Sequence, residues 1–288
     1  MLTAVHNFIP VLTSEAGLCL TKENWQEAKV TATSYSMEQL LYKPGREVLE
    51  NIVALTEYLA CPGELIINAM SLVSNKEKRY VLKSPFDGSK STFTVEELVH
   101  LIHHLNPKAV LLPPNITRDF PRIWDNWNEN IEPFIHVADV EKSGIPKHHG
   151  VYFNILKEVD WEQLDRWSHL NRYVVGNFDP QQILDFQNNG ISLIETDAPS
   201  QEAMLGRVYS REGTLDLTEP KTEMQFATID AECVCPTCSQ QLTRAYLHHL
   251  FAHTPLLCQR FLIQHNVFYT QSFMTLGEIK EIRTLKSI

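Results

Sequence analysis

The sequence predicts an α/β fold, with a closed (β/α) barrel as the first reading and a doubly wound sheet as the second. Three observations carry this. Short apolar or β-branched runs alternate with helical stretches of about ten residues along most of the 288-residue chain, the pattern of a parallel sheet with helical crossovers. No G-x-G-x-x-G or Walker motif marks a nucleotide-binding sheet. Near the C-terminal end, Cys233, Cys235 and Cys238 form a C-x-C-x2-C knuckle that stands outside the alternation.

Taken in order, residues 8–20 read as two short strands around Glu15-Ala16-Gly17, and Thr21, Glu23 and Trp25 open a helix. Lys29–Ser36 is strand-like, and Met37–Tyr42 is helical until Lys43-Pro44-Gly45 stops it. Arg46–Leu59 has the spacing of one amphipathic helix, and Glu64–Met70 that of a buried strand. Arg79–Thr94 reads as a hairpin turning at Asp87-Gly88. Thr94 then caps a helix, with Glu97 completing a capping box. Pro107–Pro114 is another buried strand. The Trp124 and Trp127 segment reads as a surface loop leading into a helix. Glu132–Asp139, Gly150–Leu156, Arg172–Gly176 and Gly190–Asp197 read as strands, and Trp161–Leu170 and Pro180–Asn188 as helices. Residues 242–254 and a stretch from Leu256 close the chain as helices.

Bulk properties narrow the class. A hydrophobic share of 43% and a mean hydropathy of −0.20 suit a globular core. The first residues show no leader, and no run of 18 apolar residues occurs, so the expectation is a cytoplasmic protein without a membrane segment. Cys19, Cys61 and Cys258 stand singly, which suits a reducing compartment. With 25 Lys+Arg against 35 Asp+Glu the net charge is −10, and no basic run exceeds the two residues Lys78-Arg79. That balance does not favour tRNA or any other nucleic acid as a partner, although a patch can be assembled in space.

The knuckle has the ligand types and spacing of a zinc site: three thiolates from one tight turn. His265, on the second of the closing helices, is placed to return as the fourth ligand. The competing reading is three small buried hydrophobes. His248 and His249 are weaker ligand candidates on the first of those helices. Four protein ligands leave no open position, so a Zn2+ held by Cys233, Cys235, Cys238 and His265 is structural.

Cys-Val-Cys-Pro-Thr-Cys followed by Thr-Arg-Ala-Tyr-Leu-His-His-Leu-Phe and Gln-His-Asn (residues 233–266) resembles the tRNA-guanine (queuine) transglycosylase family. Weaker echoes lie at Ile9-Pro10-Val11, Thr33-Ser34-Tyr35, Leu41–Gly45, Ser84–Lys90, Arg172–Gly176 with Pro180, Gly190–Pro199 and Gly206–Gly213. The resemblance implies a TIM barrel with a zinc subdomain near its C-terminal end. It also implies exchange of a guanine in tRNA for a modified base, with one aspartate attacking the ribose and a second handling the proton.

Several of the family's functional positions are altered. Its Thr-Asp-Ser-Gly-Gly corresponds to Ile67-Asn68-Ala69-Met70-Ser71, and an amide takes no proton at neutral pH. The nucleophile position holds Glu195, with Asp197 two residues on; the glutamate resembles the non-catalytic partner subunit of the eukaryotic enzyme. Gln201 replaces an arginine, Pro114 beside Asn115 replaces an aspartate, and Tyr152–Ile155 stands where Val-Gln-Gly-Gly binds the base. With about twenty residues between Gly150 and Arg172, a whole βα unit is expected to be missing there.

The expectation is therefore an irregular or incomplete (β/α)8 TIM barrel over residues 1–228, shortened between 150 and 172, and a zinc-binding subdomain with C-terminal helices over 229–288. Functionally, the resemblance implies a catalytically inactive relative that acts as a binding or accessory subunit in queuosine tRNA modification, as a homodimer or as a heterodimer with an active transglycosylase. The alternative is an active base exchanger or glycosidase with Glu195 or Asp197 as nucleophile, and a third reading is an RNA-binding module without catalysis. Solvated charges at a strand end would account equally for both carboxylates.

Overall fold

The computed structural model describes residues 7–143 and 149–285, so most of the N-terminal stretch read for a leader lies outside the described residues. Its strands are β1 (Asn7–Ile9), β2 (Ala32–Ser36), β3 (Glu64–Asn68), β4 (Tyr80–Lys83), β5 (Lys90–Phe93), β6 (Ala109–Leu111), β7 (Glu132–His136), β8 (Gly150–Ile155), β9 (Arg172–Gly176), β10 (Leu193–Glu195), β11 (Arg207–Ser210) and β12 (Gly213–Asp216). Eight of them form one sheet in the order β1-β10-β9-β8-β7-β6-β3-β2, while β4-β5 and β11-β12 pair as separate hairpins. That order is chain order, as around a barrel, with β1 and β2 at its two ends and unpaired with each other among the described residues. The fold is an incomplete (β/α)8 barrel.

Eight strands leave no room for a lost βα unit. The interval expected to lack one carries β8, a short helix at Trp161–Arg166 and then β9, so economy in loops and helix length accounts for the short spacing.

By compactness the described chain divides into two units, one made of 32–175 with 191–193, the other of 176–190 with the described parts of 6–31 and 194–288. In the first, β2, β3, β6, β7 and β8 run parallel. Their pairing sets Asn68 opposite Leu111, Leu111 opposite Phe134 and His136 opposite Tyr152. Because side chains alternate along a strand, these residues share one face. Ile66, Ile67, Val110, Leu111 and Phe134 are fully buried and form the centre of the core. Gly150 is required here: a Cβ would collide with the Phe134 ring and lie 2.9 Å from the Asn171 carbonyl. The capping box forms as read, with Thr94 and Glu97 bonding reciprocally at the start of Val95–Leu105.

Two spans in this unit depart from the sequence reading. The single helix expected over Arg46–Leu59 is two, Arg46–Asn51 and Leu55–Tyr58, because Ile52 turns extended (φ −72, ψ 147). Consecutive β-branched Ile52 and Val53 are poor helix formers, and the His104 ring takes up the Ile52 carbonyl at 3.1 Å. The strand expected to reach Asp139 stops at His136, and a helix starts at Val137 without a loop. Asp139 is consequently buried, where it accepts the backbone N–H of Asn115, itself in the left-handed region at φ 66.

The second unit is organised on the helix Pro255–Leu285, with the helices Lys22–Glu27 and Arg244–His253 and the β11-β12 hairpin packed against parts of it. Leu262, Ile263, Val267 and Phe268 are buried along it. The second strand read within residues 8–20 is instead a 3-10 turn at Gly17–Cys19. The β11-β12 hairpin had no sequence expectation.

Candidate functional site

The zinc motif folds around a clamp. Arg244, from the Thr-Arg-Ala-Tyr stretch, donates from Nε to the Thr228 carbonyl at 3.0 Å and from Nη2 to the Ile229 carbonyl at 2.9 Å. Next along the chain, the buried Asp230 carboxylate accepts from the backbone N–H of Arg211 and of Glu232, at 3.1 and 2.9 Å. These bonds fix the approach to Cys233. Cys235 then caps a short helix, its sulfur accepting the Cys238 N–H at 3.3 Å, and Thr237 anchors the knuckle to the long helix by donating to the Phe261 carbonyl at 2.8 Å.

His265 meets the knuckle. Its Nδ1 lies 3.3 Å from Cys235 Sγ, 3.4 Å from Cys238 Sγ and 3.8 Å from Cys233 Sγ, and the four donor atoms all lie within 4.8 Å of one another. A tetrahedral zinc with Zn–S of about 2.3 Å and Zn–N of about 2.05 Å sets S···N separations of about 3.5 Å, so the donors stand where one ion reaches all of them. The far ring nitrogen, Nε2, is 2.7 Å from the Tyr209 carbonyl. That bond makes Nε2 the protonated nitrogen and leaves Nδ1 as a lone-pair donor, the usual orientation of a ligating histidine. Hydrogen bonds within the thiol cluster drive Cys233 well below and Cys235 well above the ordinary thiol range. Three thiols this close cannot all ionise without a cation among them, and the donor set fits Zn2+. His248 and His249 are not part of it: His248 bonds the Leu217 carbonyl at 2.7 Å, and His249 stacks on His253.

The candidate carboxylates lie in the same unit. Glu195 ends β10 and is only 3% exposed, which removes the reading of a solvated strand-end charge at this residue. Thr196 is buried, and its Oγ1 accepts the N–H of Phe178 and of Ala198, both at 3.1 Å. Asp197 has left the strand: at φ −101, ψ 0 it precedes the helix Ala198–Met204 and does not continue the face of Glu195. Burial pushes its carboxyl up to about 6, against opposing interactions with Gln201 and Ser14, and its buried Oδ1 has no partner in good hydrogen-bond geometry.

The sequence profile of the family described as Queuine tRNA-ribosyltransferase matches residues 162–282. The chain is also similar to the queuine tRNA-ribosyltransferase of Thermoanaerobacter sp. (strain X514), at 22% identity over 93% of this chain and 84% of that protein. A second, from Blochmanniella pennsylvanica (strain BPEN), is 21% identical over 98% of this chain and 89% of its own length. The profile and both relatives point to one family, the queuine tRNA-ribosyltransferases, as what the chain is similar to. A shorter stretch carries a stronger likeness: the Clostridium kluyveri (strain ATCC 8527) protein of the same name is 33% identical over 38% of this chain and 28% of its own length.

Against that family, three positions of the first unit matter. Asn68 ends β3 and is 8% exposed, and its Oδ1 accepts the Met70 N–H at 3.0 Å. Asn115 gives its backbone N–H to Asp139. Tyr152 is fully buried and donates to the Leu112 carbonyl at 2.9 Å, so this position is filled by an aromatic ring engaged with backbone. Sequence reasoning missed Asp139 and Asn266, two buried polar residues. The signal for Asn266 was available, since Gln264-His265-Asn266 interrupts an apolar helix with three polar side chains.

Proposed function

We propose that the chain is a transglycosylase-family protein that does not exchange bases on its own and serves as a binding or accessory subunit in queuosine-related tRNA modification, in the cytoplasm. The observation that carries this is Asn68. The family's resemblance calls for a proton-handling carboxylate at the end of this strand, and Asn68 offers an amide already bonded to the Met70 N–H. Glu195 at the nucleophile position is one methylene longer than aspartate and buried at 3% exposure, and attack geometry is sensitive to about 1 Å. Residues 229–288 act as the zinc module, and their Zn2+ is structural.

A dimer, with itself or with an active transglycosylase, is supported by apolar surface around that module. Tyr246 is 47% exposed and Leu256 75%. Ala245 bonds the Gln225 carbonyl at 2.8 Å, which brings exposed Met224 and Phe226 beside the same helix. Grouped exposed apolar side chains, as Met224, Phe226 and Tyr246 are, mark association surfaces.

The second reading, an active enzyme using Asp197 or Glu195, draws support from the Asp197 carboxyl near 6, whose buried Oδ1 has no partner in good hydrogen-bond geometry, a feature of functional carboxylates. One experiment separates the two: incubate the purified chain, alone and with an active transglycosylase, with tRNA and labelled guanine. The accessory reading expects incorporation only in the mixture. Label entering tRNA with this chain alone, and lost in Glu195→Gln or Asp197→Asn, overturns it in favour of the enzyme.

A further inference from the structure

The acidic total conceals a basic surface. Between Val73 and Phe93, Lys76, Lys78, Arg79, Lys83 and Lys90 stand against Glu77 and Asp87 alone, a local excess of positive charge in a chain of net −10. This stretch contains β4 and β5 and follows directly on the C-terminal end of β3, the end at which barrels carry their sites.

The arrangement of the cations is unusual in two respects. Lys83 and Lys90 are register partners, directly opposite across the β4-β5 ladder, and both are exposed. Like charges in that position repel and weaken a hairpin. Among the described residues, neither they nor Lys43 and Lys76 have a carboxylate within ion-pair distance, so their charge is free to meet an anion. The second feature is Phe86 at the tip, 58% exposed, with Lys43 Nζ 3.6 Å from its ring centroid. Asp87, the carboxylate of the turn, is spent on the turn itself, accepting the N–H and hydroxyl of Ser89 at 3.1 and 2.8 Å.

Unpaired lysines beside an exposed aromatic ring meet the two requirements of a single-stranded nucleic acid: cations for the phosphates and a π-face for a base. We propose that the β4-β5 hairpin is an RNA-contact surface, on which Lys83 and Lys90 take backbone phosphates and Phe86 stacks an unpaired base. An acidic protein segment would satisfy the lysines and leave Phe86 unused. The proposal deepens the tRNA-related reading above and rests on it for the choice of RNA over DNA.

The test is fluorescence anisotropy with two probes, a labelled oligouridylate of about twelve nucleotides, within the span of single-strand sites, and an in vitro transcribed tRNA, titrated at salt from about 50 to 200 mM. The wild-type chain is expected to bind both, more weakly as salt rises. Lys83→Gln/Lys90→Gln is expected to weaken binding at least about tenfold at the lowest salt and to make the slope of log K against log salt shallower by about 1.4, two single-strand phosphates at about 0.7 each. Phe86→Ala is expected to weaken binding by about five- to a hundredfold with the slope unchanged. All three side chains are exposed, and unchanged circular dichroism checks that the variants fold; Lys43→Gln, expected to weaken binding with them, provides a site outside the hairpin. Variants that bind as the wild type does, a wild type that binds neither probe, or displacement of RNA by polyglutamate at equal charge each overturn the proposal. The guanine-exchange assay reads the family-level function separately, so either can fail alone.

Discussion

The side-chain nitrogen of Asn266 donates to the carbonyls of Pro199 and Arg207, both at 3.0 Å, while its oxygen accepts the Tyr209 N–H at 3.0 Å. Its neighbour His265 faces the thiols and holds the Tyr209 carbonyl. Two adjacent residues thus tie the Cys3His cluster to the helix that follows Glu195 and Asp197, and a single backbone position, Tyr209, is held from both sides.

Removing a zinc ligand should cost folding. Binding free energies of structural zinc run to about 10 kcal/mol or more, comparable to the whole stability of a domain, about 5–15 kcal/mol. Cys235→Ser is therefore expected to lose the metal and most of its cooperative thermal transition, read by elemental analysis and calorimetry. A variant that is metal-free and melts as the wild type does would refute a structural zinc.

Asn266→Ala separates anchoring from metal binding. It strands a buried N–H and two carbonyls, at about 1–3 kcal/mol for each group left unsatisfied, so a loss of roughly 3 kcal/mol or more in urea unfolding is expected with zinc content unchanged. Loss of zinc in step with stability would mean the two functions are not separable.

Asp197 should make stability fall as pH rises through the mild acid range. Its folded carboxyl is raised to about 6, against about 3.9 in an unfolded chain. Below about pH 4 both states are protonated and the group costs nothing. Between about 4 and 6 the unfolded state gives up its proton first, and its stability advantage is complete above about 6. Asp197→Asn is expected to gain up to about 2 kcal/mol at pH 7 and almost nothing at pH 4. An equal gain at both pH values would contradict the assignment.

Gly150→Ala tests the barrel packing. The added methyl must displace the Phe134 ring or the Asn171 carbonyl, an overpacking expected to cost about 1–3 kcal/mol. A denaturation midpoint equal to the wild type would show that the strand can shift freely.

The parts of the molecule legible in the sequence were those written in local chemistry. The clustering of Cys233, Cys235, Cys238 and His265, the Thr94 and Glu97 capping box and the hairpin at Asp87-Gly88 follow from residue types and their spacing, and the structure brings each together. Boundaries set by tertiary competition were not legible. Apolar spacing carries the Arg46 helix through Ile52, where the backbone turns extended and the His104 ring takes up the Ile52 carbonyl. A β-rich run carried one strand past His136, where a helix begins at once. The strand expected over Gly190–Asp197 stops at Glu195, so Asp197 falls outside it. The basic hairpin is not legible in the sequence because its charges are interrupted by other residues and Lys83 and Lys90 meet only by register.

Gln264, His265 and Asn266 are consecutive on a helix, and each reaches a different element: Gln264 donates to Glu27 at 2.7 Å, His265 meets the thiols and Asn266 binds the Pro199 carbonyl. Successive side chains leave a helix about 100° apart, so these three point the helix in three directions at once and lock its rotation. Inserting one residue between Pro255 and Gln264 would turn all three by about 100° and break all three attachments together. This segment therefore tolerates exchange of side chains far better than any change in length.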